Sequence, residues 1–299
     1  MTGTQIIFLI VALFTLGSAL MVVTTRNLIH AALWLVSTLF GVAVIYALLN
    51  AGFMAVVQVV VYIGAIAILF IFAGSAAEFA LNKAVDWLYF TGRLPSDPLG
   101  RLFSTVAYAR AIVFSDEQKA LAAIDKISAI HGAVENSRGA KIPDWAYRDV
   151  LYMLIHYSVV SYELLERKLT VQEKEEVYDV FFRLGSRMNL KELPGSYTDW
   201  LISRQQHLEA DLAKSNYSTD LYKQYKKHLG SFRYRVLIES QKLIVPPCVK
   251  AMLNFTNRHR LKPFIPFYKL CRKVKLDGAV KALLLPSSYK AQINALDYD

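Results

Sequence analysis

The sequence predicts an all-α protein in which three N-terminal transmembrane helices precede a helical bundle domain. Three observations carry that prediction. Arg26 is the only charged side chain before Glu78. The stretch before Glu78 divides into apolar runs long enough to cross a bilayer. After Glu78, apolar residues recur at helical spacing and no period-two alternation is sustained.

The runs are Ile6 to Val23, Leu28 to Leu49, and about Phe53 to Ala77, with Asn50, Ala51 and Gly52 forming a short turn. Each is on the order of 20 residues, enough at ~1.5 Å per residue to cross ~30 Å of hydrocarbon. Lipid leaves backbone groups without partners, so helices are the viable form. A cleaved signal peptide fits poorly, because no basic region precedes the first run and two more runs follow. By the positive-inside rule Arg26 stays cytoplasmic, which places the basic residues 78–299 on the cytoplasmic side. Ser37, Thr38 and Gly41 in the second run, and Gly64, Ala65 and Ala67 in the third, supply small-residue faces for close helix packing. Gln58 and Tyr62 are four apart and share a helix face. They either hydrogen-bond a neighbouring helix or serve as polar contacts in proton coupling.

Residues 78–299 read as successive amphipathic helices. Apolar residues from Ala76 to Leu88 have helical spacing, and Pro95 and Pro98 then mark a turn with Asp97 as an N-cap. Helices are expected over 99–114, from an Asp116 cap through Ile130 and beyond, and over 144–168. Thr170, with Glu173 three residues on, caps another. Further helices are expected over 198–214, 218–229 and 232–243, with Pro246 and Pro247 as a break. The net charge of +10 suits an anionic membrane face or an acidic partner. No nucleic-acid motif accompanies it, so nucleic acid is not an expected partner. Lysines and arginines mixed with aromatics from Tyr222 to Lys273 fit either a membrane surface or a solvated basic face. Cys248 and Cys271 lack the spacing of a disulfide framework, a zinc site or an iron–sulfur cluster.

No phosphate loop, nucleophile elbow or HExxH motif is present. Arg101 and Thr105 are four apart on the 99–114 helix. His131 and His156 each lie among apolar residues, where an imidazole either binds iron or is a hydrogen-bonded core residue.

Two resemblances follow. Residues 27–33 (Asn-Leu-Ile-His-Ala-Ala-Leu) and 58–72, containing Tyr62-Ile63-Gly64-Ala65, resemble subunit J of NADH-quinone oxidoreductase, the chain 6 family of respiratory complex I, over about residues 1–72. That resemblance implies a multi-pass membrane protein of bacterial inner-membrane type. It also implies other complex I membrane subunits as partners and a third helix, carrying Gln58, Tyr62 and Gly64, that couples quinone reduction to proton movement. The family has two further spans that this sequence does not show. The segments Phe72–Ala80, Asp97–Thr105, Ile130–Val134 and Ile155–His156 resemble the MpaB/rubber-oxygenase (latex-clearing protein) catalytic domain over about residues 69–290. This second resemblance implies an all-helical fold holding haem b, an oxygenase activity on a hydrophobic substrate, and His131 as the axial iron ligand, with His156 as second choice. It further implies that Arg101 and Thr105 face the haem, with Arg101 pairing a propionate. Ser104 stands where the rubber oxygenases place a distal lysine.

The domain organisation is therefore 1–77, a subunit J-like transmembrane region that binds no cofactor itself, and 78–299, a rubber-oxygenase-like helical domain. The leading functional expectation is a membrane-anchored, haem-dependent oxygenase-like protein. The alternatives are a complex I subunit J with an atypical C-terminal domain, and a chimera without function.

Overall fold

The computed structural model describes residues 3–25, 70–92 and 115–266, with single positions between 34 and 45 and between 96 and 112. The chain divides into two compact units, Met1–Gly64 and Ala65–Asp299.

In the first unit, α1 runs over Gly3–Thr24 without a charged residue. Save for Thr24, its outward side chains are apolar: Ile10, Leu13 and Leu16 are each more than 60% exposed, while Thr15 and Ser18 are buried. The Thr15 hydroxyl donates to the Val11 carbonyl (2.7 Å), so its polarity is consumed within the helix. Described positions between 34 and 45 are helical, and Thr38 likewise donates to Trp34 O. A Cβ on Gly41 would collide with the Thr15 side chain, so glycine permits this close approach. Among the described residues no helix is long and apolar enough to cross a membrane; the described side chains of α1 begin at Ile7. The 53–69 part of the third expected span lies outside the described residues.

Among the described residues the regular secondary structure of the second unit is helical, save one isolated bridge between Asn82 and Leu212. Its elements are α2 (residues 70–79), α3 (Val85–Phe90), α4 (Glu117–Arg138), α5 (Asp144–Leu165), α6 (Val171–Arg187), α7 (Tyr197–Ala210), α8 (Asn216–Ile244) and α9 (Pro247–Met252). The caps expected from the sequence form. Asp116 accepts from Lys119 N, Asp97 from Gly100 N, and Thr170 and Glu173 make a reciprocal capping box.

The helix expected over 144–168 ends at Leu165, and three other boundaries differ more from the sequence-based expectation. The helix expected across 76–88 is interrupted at residues 80–84, where Asn82 folds its carbonyl oxygen onto Ala84 N and Lys83 N bonds Asp211 O. The helix expected to reach Lys214 stops at Ala210, because Ala213 N turns to Leu81 O. The helices expected over 218–229 and 232–243 are one kinked helix, broken at Gly230 (φ 71°, ψ 171°), a conformation glycine tolerates.

One part of the core gathers Leu151, Tyr152 and Ile155 of α5 with Tyr178 of α6 and Trp200 of α7. The rings of Tyr152 and Trp200 meet edge to face at 6.2 Å between centroids. Fully burying each such side chain contributes about 1.5–3 kcal/mol. Residues 70–79 pack in this same unit: Ala73, Ala77 and Phe70 are buried, and a Cβ on Gly74 would meet the Tyr157 ring.

Candidate functional site

Polar groups concentrate where α2, α5 and α7 face one another. Glu78, buried at the end of α2, receives both terminal nitrogens of Arg204 at 2.5 Å. Tyr157 donates its hydroxyl to the same carboxylate at 2.9 Å. Burial opposes the Arg204 charge, but the adjacent Glu78 carboxylate overcomes it and holds the guanidinium above its ordinary value. Burial, then the Glu78 charge, pushes the Tyr157 phenol well up, so it remains a hydrogen-bond donor. A bidentate carboxylate–guanidinium pair of this kind fixes the register of the two helices it joins.

Beside it lies a second knot. His207 Nδ1 sits 2.5 Å from Asp149 Oδ1 and 3.1 Å from Asp211 Oδ2. Asn82 donates to the other Asp149 oxygen at 2.7 Å. Burial, then the Asp149 charge, raises the Asp211 carboxyl. One ligand atom from each of Asp149, His207 and Asp211 lies within 4.8 Å of the others, a donor set suited to a divalent cation. The three side chains already satisfy one another, however, and the knot stands as a hydrogen-bonded junction between α5, α7 and the 80–84 turn.

The structure separates the two candidate histidines by environment. His156, on α5, is largely buried and has a hydrogen bond to the backbone of Ile244, while its Nε2 is buried without a hydrogen-bond partner among the described residues. Burial, aided by the Arg204 charge, lowers its pKa to about 3, so the ring is neutral. His131, on α4, is half-buried and packs edge to face against Tyr147 at 5.2 Å. Burial pushes the Tyr147 phenol up, as does Glu135, to which it is hydrogen-bonded. Thr105 is helical and half-buried. Arg101 and Ser104, and Gln58, Tyr62 and Gly64 of the expected coupling helix, lie outside the described residues.

The sequence reading did not single out Glu78, Arg204, Asp149 or His207. A glutamate directly after 77 nearly charge-free residues was the available signal for Glu78. Arg204 and His207, three residues apart on one face of α7, gave a fainter one.

A family model, NADH-ubiquinone/plastoquinone oxidoreductase chain 6, matches residues 18–160. NADH-quinone oxidoreductase subunit J of Rhodobacter capsulatus is 32% identical over 111 residues, 37% of this chain and 52% of that protein. NAD(P)H-quinone oxidoreductase chain 6 of Synechocystis sp. is 40% identical over 92 residues, 30% of this chain and 44% of that one. F(420)H(2) dehydrogenase subunit J of Methanosarcina mazei is 48% identical over 67 residues, 22% and 38% of the two chains. The chain thus spans about half or less of the length of these curated relatives. No solved structure matches. None of these matches is to the MpaB/rubber-oxygenase family. The N-terminal part of this chain is similar to chain 6, or subunit J, of the quinone-linked NADH oxidoreductases.

Proposed function

We propose that residues 1–77 act as a subunit J-like membrane segment of a quinone-linked dehydrogenase, carrying residues 78–299 as an additional helical domain. The observation that carries this reading is the similarity of the front part to subunit J and chain 6 proteins from three unlike sources. The apolar exterior and polar interior face of α1, with Thr15 against Gly41, support a helix that meets lipid outside and another helix inside. Gln58, Tyr62 and Gly64 are the residues through which such a segment would couple quinone reduction to proton movement, with other membrane subunits as neighbours. The test is purification of the tagged full chain in mild detergent. Co-purification with membrane subunits of a quinone-reducing dehydrogenase is expected. Tyr62→Phe or Gly64→Leu should lower quinone-linked proton pumping while leaving co-purification intact. A chain that always migrates alone overturns the reading.

His156 favours a second role for residues 78–299. A neutral, buried imidazole whose Nε2 has no hydrogen-bond partner among the described residues, and whose ring is oriented by a hydrogen bond to the Ile244 backbone, suits an iron ligand. Haem b would then be held by His156 or His131, with Arg101 toward a propionate and Thr105 on the same helix face, and when bound it would supply oxygen activation for an apolar substrate. The chain's own residues would bind and orient the group and exclude water. A haem absorption band in the purified full chain, abolished by His131→Ala or His156→Ala, is the expected result. A colourless, iron-free protein overturns it.

A further inference from the structure

The second unit carries most of its excess positive charge in one stretch. Residues 214–262 contain eleven lysines and arginines against two carboxylates, Asp220 and Glu239. Elsewhere in the unit cations are commonly matched: Arg138, Arg148, Arg167, Arg187 and Arg204 each meet a carboxylate. Four cations of α8 are not. Lys223, Lys226, Lys227 and Arg235 are exposed, and no described carboxylate pairs with them. The three lysines are spaced i, i+3 and i+4, which puts them on one helix face. The Glu239 carboxylate is occupied by Lys242 (2.7 Å) and by Arg260 N (2.9 Å), so it does not neutralise them.

An apolar element accompanies the charge. Directly after the Gly230 kink, Phe232 is 56% exposed between the lysines and Arg235. Phe264 repeats the arrangement: it is 61% exposed and follows Arg260 and Lys262. Unpaired like charges repel one another and a bare ring gains nothing in water. Both are relieved at an anionic headgroup layer, where cations find phosphates and a ring reaches the acyl boundary.

We propose that this α8 face is a docking surface for anionic lipid, with Lys223, Lys226, Lys227 and Arg235 as charged contacts and Phe232 as the inserted ring. The inference rests on the membrane reading of residues 1–77. Covalent attachment to a membrane segment keeps the domain at high effective concentration beside the bilayer, so weak contacts suffice. Each cation at such a surface strengthens binding by about fivefold.

The test reconstitutes the full chain into vesicles of phosphatidylcholine alone or mixed with phosphatidylglycerol, and follows amide hydrogen exchange. Anionic vesicles should slow exchange around residues 223–235 by roughly tenfold or more. The effect should vanish at about 1 M salt and in the Lys223→Gln, Lys226→Gln, Lys227→Gln, Arg235→Gln variant. Exchange in α5 should not respond, which shows that the variant is folded. Phe232→Ser should weaken the protection in anionic vesicles and leave its salt dependence in place. Equal exchange in both vesicle types overturns the proposal, as does protection by an added RNA oligonucleotide in neutral vesicles without any by anionic lipid. Because the front segment inserts in either composition, failure here is distinct from failure to co-purify with dehydrogenase subunits.

Discussion

The front and back of this chain solve the burial problem in opposite directions. In α1 the well-exposed side chains include Ile10, Leu13 and Leu16, while Thr15 and Ser18 are hidden. In the second unit Leu151, Tyr152, Ile155 and Trp200 are hidden, and cations such as Lys226 and Lys227 are outside. Water rewards the second arrangement and penalises the first. Lipid removes that penalty, and association then depends on close packing of small residues, as at Gly41 against Thr15. The two parts differ again in what they do with polarity. The front turns the hydroxyls of Thr15 and Thr38 onto its own helix carbonyls, whereas the back joins helices through a buried ion pair.

The sharpest way to break this contrast is to remove one partner of the buried pair. Arg204→Ala leaves the Glu78 carboxylate uncompensated and should cost about 3–5 kcal/mol, read as a lower denaturation midpoint of the second unit. The double change Glu78→Leu with Arg204→Met should recover most of that loss, because a buried apolar pair replaces a desolvated charged one. A double variant no better than Arg204→Ala would show that the carboxylate is not the source of the penalty. Next, Gly74→Ala drives a methyl into the Tyr157 ring, and overpacking of this kind costs roughly 1–3 kcal/mol in the same measurement. The corresponding front change, Gly41→Leu, should part the helix at residues 34–45 from α1 without moving the denaturation midpoint of the second unit. Cross-linking between cysteines introduced at Thr15 and Thr38 reads that loss.

Acid separates the two parts as well. The folded His156 pKa is depressed to about 3 against 6.5 for the ordinary side chain. Below pH 6.5 the unfolded chain takes up a proton that the folded chain refuses, so stability falls as pH drops from 6.5 toward 3. The slope from this one group approaches about 1.4 kcal/mol per pH unit. His156→Phe should flatten that window in the second unit, and an unchanged pH profile would show that the ring is not buried neutral. The smallest effect expected is at a surface cap: Thr170→Ala should lower stability by about 1 kcal/mol through loss of the capping box with Glu173.

Much of the helical layout was legible because it depends on neighbours in sequence. Asp116, Thr170 and Glu173 act within one turn, and the break after Ile244 follows from Pro246 and Pro247. Helix ends set by distant partners were not legible: residues 80–84 leave the helix for Asp211 and Leu212, about 130 positions away. The candidate site divides in the same way. His156 could be picked out as a polar residue among apolar ones, but its neutrality depends on burial around α5 and on the charge of Arg204. Glu78 stood out as an end to charge-free sequence, yet its pairing with Arg204 joins residues 126 apart.

Composition alone determined that this chain has a lipid-suited front and a basic helical back, since charge and hydrophobic period are properties of each residue and its near neighbours. Tertiary structure decided which polar groups are buried together, which histidine is kept neutral, and which cations lack a carboxylate. Those outcomes depend on desolvation and on partners brought in from other helices, and neither is written at any single position.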